Sequence, residues 1–320
     1  MLIYTLRRLN LFIITLLLLT VVSYSILRLD PSSALSSQEF WHGWLVYLSM
    51  LAEGDLGINA NGVSIADQIL IVFPATLELC IFAFLCALVI GIPLGTLAGI
   101  RQGGLLDRGI TTIALLGFSM PVFWLAMLLL MLFSLHLGWL PVSGRYSLLY
   151  EIDHITGFAL IDIWLSPQPY RLAAFESALS HLILPSLVLA VAPTTEIITQ
   201  MRASVATVMQ QNYVRTAAVK GLSLYEIVTR HVIRNALPPI IPKFGMQLST
   251  MLAFSMVVES IFNWPGIGRW LLDAIAHQDY IAIQGGVIVV ASFVLLANIL
   301  ADLFAAIVNP LVRKEWYAIR

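Results

Sequence analysis

An all-α polytopic membrane protein with about six spanning helices is what three observations predict. Of the 320 residues, 59% are hydrophobic and 11% charged, with a mean hydropathy of +0.91, well above the apolar share of roughly 45–50% in a soluble domain. The apolar residues gather into six runs near 9–27, 75–100, 110–137, 182–201, 244–262 and 284–308, each close to the roughly 20 residues that cross a bilayer. Thirteen of the seventeen lysines and arginines fall in alternate intervening segments, the bias expected when both chain ends are cytoplasmic. The net charge of -1 offers no general attraction for nucleic acid.

The first run follows Arg7 and Arg8 and is not succeeded by a small-residue cleavage site, so it reads as a retained span rather than a signal peptide. Cys80 and Cys86 share the second run at i and i+6 and lie on different helix faces, which excludes a bridge between them. The fourth run carries Pro185, Pro193 and Glu196, and the fifth Gln247, Ser249, Thr250 and Glu259. Polar and proline positions survive in a span where neighbouring helices satisfy them, so both runs belong inside the bundle. The outer segments are acidic and rich in tryptophan and tyrosine, including Trp41, Trp44, Trp139 and Trp164, residues suited to the headgroup layer.

The densest basic charge lies between the fourth and fifth runs. There Ala203–Val219 and Leu224–Ala236 have helical composition and are separated by Gly221-Leu222-Ser223, a glycine stop followed by a serine cap. Ala217, Ala218 and Gly221 make a small-residue joint, and Leu224, Ile227, Val228 and His231 an apolar stripe beside Arg230 and Arg234. Pro238, Pro239 and Pro242 end the second helix. The segment reads either as a helical elbow that docks in a partner's groove or as a membrane-hugging basic loop.

The run NYVRTAAVKGLSLYEIVTRHVIRNALPP resembles the cytoplasmic EAA-type loop of ABC-transporter permeases, in the form found in the dipeptide and oligopeptide class. Arg215, Thr216, Ala217, Lys220, Gly221, Leu222, Arg230, His231 and Asn235 stand at matching positions, and Arg215 replaces the glutamate of the general motif. GIPLGTLAGI, GFSMPVFWLA, LGWLPVSGR, VESIFNWPGIGRWLLDAI and DLFAAIVNPLVR extend the likeness over nearly the whole chain.

This resemblance implies a type I ABC importer permease fold in a bacterial inner membrane. It also implies a second permease completing a heterodimer, two cytosolic ATPase subunits and a periplasmic substrate-binding protein. ATP and magnesium would sit on those ATPases, with no cofactor on this chain. It implies a first helix and outer loop over 1–73, a transporter domain over 74–313 with an elbow loop near 202–243 and an outer loop near 138–181, and a tail over 314–320. Residues 215–218, 220–222, 230, 231 and 235, Ala218 among them, would couple to the ATPases.

No phosphate-binding G-x-x-x-x-G-K-[ST] loop and no metal-ligand spacing occurs, so the chain reads as a transporter subunit rather than an enzyme, the intramembrane enzyme being the alternative class. Glu78, Glu196, Glu259 and Asp302 lie in or beside spans, where charge is costly. They read as counter-charges for a cationic cargo or as hydrogen-bonding anchors of helix ends. Peptide uptake, cationic antimicrobial peptides included, and polyamine export are the two cargo expectations.

Overall fold

The computed structural model describes residues 2–31, 33, 35–59 and 62–308; Arg313, Lys314, Arg320 and the 314–320 tail lie outside the described residues. Helix α1 (Leu2–Leu27) and helix α13 (Tyr280–Val308) pack together at one edge, joined where Ser23 Oγ donates to the Gln284 carbonyl at 2.9 Å. Helix α2 (Phe40–Ala52) lies in the first outer segment and is tied to the same glutamine by the Tyr47 hydroxyl. Gln284 thus holds three segments, its amide also donating to the Leu56 carbonyl at 2.7 Å.

The centre of the fold is the pairing of α3 (Ile65–Ile100) with α7 (Arg171–Met209). These helices have 36 and 39 residues, about 54 and 58 Å at 1.5 Å per residue, longer than the roughly 30 Å hydrocarbon layer. Gly91, Gly95 and Gly99 recur every fourth residue and so line one face of α3. A Cβ added at them would lie 2.7 Å from Ile197, Met201 and Val205 of α7, respectively, so the backbones meet where no side chain fits. Pro74 lies inside this same continuous helix, α3.

The third apolar run departs from the expected straight span. Helix α4 (Leu105–Ser119) stops at Met120-Pro121, and α5 (Val122–Leu129), continued by a π-helical stretch to His136, leaves it at 103°. Proline supplies no N–H and its ring drives the preceding residue out of helical space, and Met120 is accordingly extended, at φ -80° and ψ 132°. Among the described residues five helices are long and apolar enough to cross a membrane, or six if this bent pair counts as one span.

Short α6 (Ala159–Leu165) belongs to the second outer segment, and α8 (Asn212–Val219), α9 (Leu224–Ile227) and α10 (Ile233–Ala236) to the elbow. Helix α11 (Phe244–Phe262) returns through the bundle and α12 (Ile267–Ala276) turns at the end of the bundle away from the elbow. Both cysteines are free, as their spacing required.

Candidate functional site: the elbow and the polar positions of the bundle

The elbow is built from its own small core. Helix α7 ends at Met209 rather than running on to Val219, because the chain turns at Gln210-Gln211 before α8. Val214 and Ala217 of α8, Ile227 of α9 and Val232 and Ala236 then pack on Met201, Val205 and Val208 of α7. Ser204 Oγ fastens the far side by donating to the Ala236 carbonyl at 2.8 Å. Gly221 closes the joint at φ +85°, a conformation that suits glycine. Ser223 then opens α9 with a capping box: Glu226 N–H donates to its hydroxyl, and its own N–H donates to the Glu226 carboxylate at 3.0 Å.

Those hydrogen bonds hold the Glu226 carboxyl below its ordinary range, the Ser223 N–H being the main cause. Because the folded-state value is depressed, the cap's contribution is complete above the unfolded carboxylate range and disappears as pH falls through the lowered one. At neutral pH the joint is therefore fully capped. After α10 the chain passes Pro238 and Pro239, and a single 3-10 turn at Ile241–Lys243 leads into α11.

Arg215, Thr216, Ala218, Lys220, Gly221, Arg230 and Asn235 are exposed, and Leu222 and His231 half-buried. Asn235 Nδ2 turns back to the His231 carbonyl at 2.6 Å. Ala217 and Ile227 are buried in the elbow's core, because their faces of α8 and α9 turn toward α7. The outward apolar surface is instead Val219, Leu224 and Tyr225, which are 88%, 56% and 78% exposed. Val219 and Tyr225 were not singled out by sequence. The signal was available, since each lies two residues, or about 200° of helix, from a buried neighbour at 217 or 227.

Glu78 and Glu259, at the end of the bundle away from the elbow, have internal partners. Arg145 reaches in from the second outer segment, its Nε donating to Glu78 Oε2 at 2.9 Å and its Nη2 to the Gly157 carbonyl at 2.7 Å. The other Glu78 oxygen accepts from the Leu160 N–H in α6 at 2.9 Å. Glu259 accepts from the Thr76 hydroxyl at 2.6 Å and from the Arg269 N–H at 2.9 Å, which caps the start of α12. Gly266 and Gly268 leave room for that carboxylate, as a Cβ at Gly266 would stand 2.4 Å from its carbon. Trp264 links the two clusters, donating to the Ala75 carbonyl at 2.9 Å while the Arg145 guanidinium lies over its ring. The geometry of Glu78 and Glu259 is thus that of anchors for loop and helix end, not of counter-charges open to a passing ligand.

The other two acids lie toward the elbow. Asp302 is half-buried on α13. Glu196 is half-buried on α7 and borders a cleft of about 460 Å³ formed by the Ser119–Pro121 break, α7 and α11. Nearer the elbow, Arg202 of α7 pairs with Asp107 of α4 through a second bond of 2.8 Å, joining the helix that carries the elbow to the helix beside the break.

Residues 91–314 match the family described as binding-protein-dependent transport system inner membrane component. The chain belongs to that family. The permease is 51% identical, over the full length of both chains, to the peptide transport system permease protein SapB of Salmonella typhimurium, and 53% to the putrescine export system permease protein SapB of Escherichia coli K12. It is 39% identical to the di/tripeptide transport system permease protein DppB of Pseudomonas aeruginosa, over 98% of this chain and all of the relative. Among solved structures a chain of the MetNI methionine ABC transporter aligns at a TM-score of 0.53 and 15% identity, over 73% of this chain and 94% of that one. The fold is therefore that of a type I ABC importer permease. The chain is the non-catalytic inner-membrane subunit of an ABC transporter, whose ATPase resides in a separate subunit and whose family works with a binding protein.

Proposed function

We propose that this permease moves peptides, cationic antimicrobial peptides among them, by alternating access, as one half of a heterodimer with a second permease. Two cytosolic ATPase subunits holding ATP and magnesium would drive it, a periplasmic protein would deliver cargo, and both termini would face the cytosol. The observation that carries the coupling role is the elbow itself: a capped helix pair with its own core that exposes Val219, Leu224 and Tyr225. A rigid unit with an exposed apolar tip transmits displacement, whereas a loose basic loop absorbs it.

The peptide reading rests on the full-length likeness to the peptide permeases, and the putrescine exporter supplies the second reading through an equally full-length likeness. Sealed proteoliposomes holding the assembled transporter, with ATP on the ATPase side, distinguish the two. Movement of a labelled dipeptide toward that side supports uptake of peptides; movement of putrescine away from it, without peptide flux, replaces that reading with export.

The elbow reading makes its own prediction. Val219→Asp and Tyr225→Asp place charge in an interface that excludes water, and each is expected to abolish co-purification of the ATPase subunits while the permease still reaches the membrane. Gly221→Asp strains a left-handed position, costs about 1 kcal/mol locally, and is expected to uncouple ATP use from transport. Normal ATPase recovery and transport in all three variants would sink the docking role.

A further inference from the structure

The cleft beside Glu196 contains an unmatched set of polar groups. Gln247 of α11 lines it and is only 3% exposed, yet neither its amide nitrogen nor its carbonyl oxygen has a hydrogen-bond partner. Glu196 of α7 also lines it and accepts from Gln200 Nε2 at 2.6 Å, Gln200 itself standing outside the lining. No lysine, arginine or histidine among the described residues forms an ion pair with Glu196. Elsewhere the wall is mostly apolar, with Met120, Val188 and Phe254 around the break, and its Ser119 and Thr250 hydroxyls already donate to the Leu115 and Met246 carbonyls of their own helices. Leaving a buried amide unsatisfied costs about 1–3 kcal/mol, and an unpaired carboxylate within a span is still less favourable.

We propose that this cleft is a subsite for the free amino end of a peptide in transit. The chemistry of the vacant groups selects that ligand. An ammonium offers a positive charge and three donors, which match the Glu196 carboxylate and the Gln247 carbonyl oxygen. The Gln247 NH₂ requires an acceptor, and the first carbonyl of a peptide lies next to its ammonium. A polyamine offers donors and charge but no acceptor, leaving the Gln247 nitrogen unmet. The site lies between the Met120-Pro121 break and α7, the helix that leads into the elbow. The inference rests on the peptide reading given above.

The test uses the complete transporter in proteoliposomes, with a labelled dipeptide, its N-acetyl counterpart and putrescine as probes. In the wild type the free-amine dipeptide is expected to move faster than the acetylated one. Glu196→Gln is expected to lower flux of the free-amine dipeptide by about 10- to 100-fold, the equivalent of one charge-assisted hydrogen bond, and to leave the acetylated peptide unchanged. Gln247→Leu should lower the same flux while raising the thermal unfolding temperature, because an apolar group of similar size replaces an unsatisfied amide. A structural glutamine, or one satisfied by resident water, would lower that temperature on replacement. ATPase co-purification checks that each variant assembles.

Free-amine preference surviving in both variants, or a lowered unfolding temperature for Gln247→Leu, would overturn the subsite while wild-type peptide flux keeps the transport reading intact. Putrescine flux with no peptide flux in the wild type would overturn both.

Discussion

Gly95→Leu is expected to prevent the permease from accumulating as a folded bundle. The added Cβ would stand 2.7 Å from Met201 Cβ and 2.9 Å from the Ile198 carbonyl oxygen, so the obstacle includes backbone and no rotamer change removes it. Separating α3 from α7 at this point also opens the contacts at Gly91 and Gly99, one turn to either side. Overpacking of a closed interior costs about 1–3 kcal/mol when neighbours can shift, and here the upper end or beyond is expected because three glycine contacts are lost together. The measurements are membrane abundance and thermal unfolding of the purified transporter. Gly109→Ala serves as the comparison, since a Cβ there meets nothing within 4 Å and the helix gains about 0.5–1 kcal/mol. Equal stability of the Gly95 and Gly109 variants would refute close backbone packing as the basis of the α3–α7 pair.

Arg145→Met is expected to be comparably damaging, by an electrostatic route. Both members of the Arg145–Glu78 pair are buried, and removing one partner leaves the other charge uncompensated, at about 3–5 kcal/mol. The same change releases the outer segment, which Arg145 holds through the Gly157 carbonyl, and removes the cation over Trp264. Glu78→Gln combined with Arg145→Met is expected to recover most of the loss, since a neutral amide can still accept from the Leu160 N–H. Additive damage in the double variant would show that Arg145 acts through packing alone.

Several structural features were legible residue by residue. Gly221 and Ser223 announced the elbow because one residue tolerates positive φ and the other satisfies an orphan N–H, both local requirements. The first apolar helix and the other apolar runs followed from length and composition. The break at Met120-Pro121 was less visible: a proline marks a bend, but its 103° angle depends on where α5 finds room beside α7 and α11.

The acids illustrate the limit most clearly. Glu78, Glu196 and Glu259 look alike in the sequence, each a lone carboxylate in an apolar run. Arg145 is 67 residues from Glu78, and Thr76 is 183 from Glu259, so their partners are set by how helices meet rather than by spacing along any one of them. The same reason separates Val219 and Tyr225, which face outward, from Ala217 and Ile227, which close the elbow's core.

By itself, then, the sequence determined the solvent for which this chain is built, the number and order of its apolar runs and the position of its helical elbow, because bilayer thickness, charge and backbone chemistry act on contiguous residues. Only the tertiary structure decided which carboxylates are neutralised within the protein and which faces a cleft, because pairing and burial arise between residues that the chain brings together from far apart.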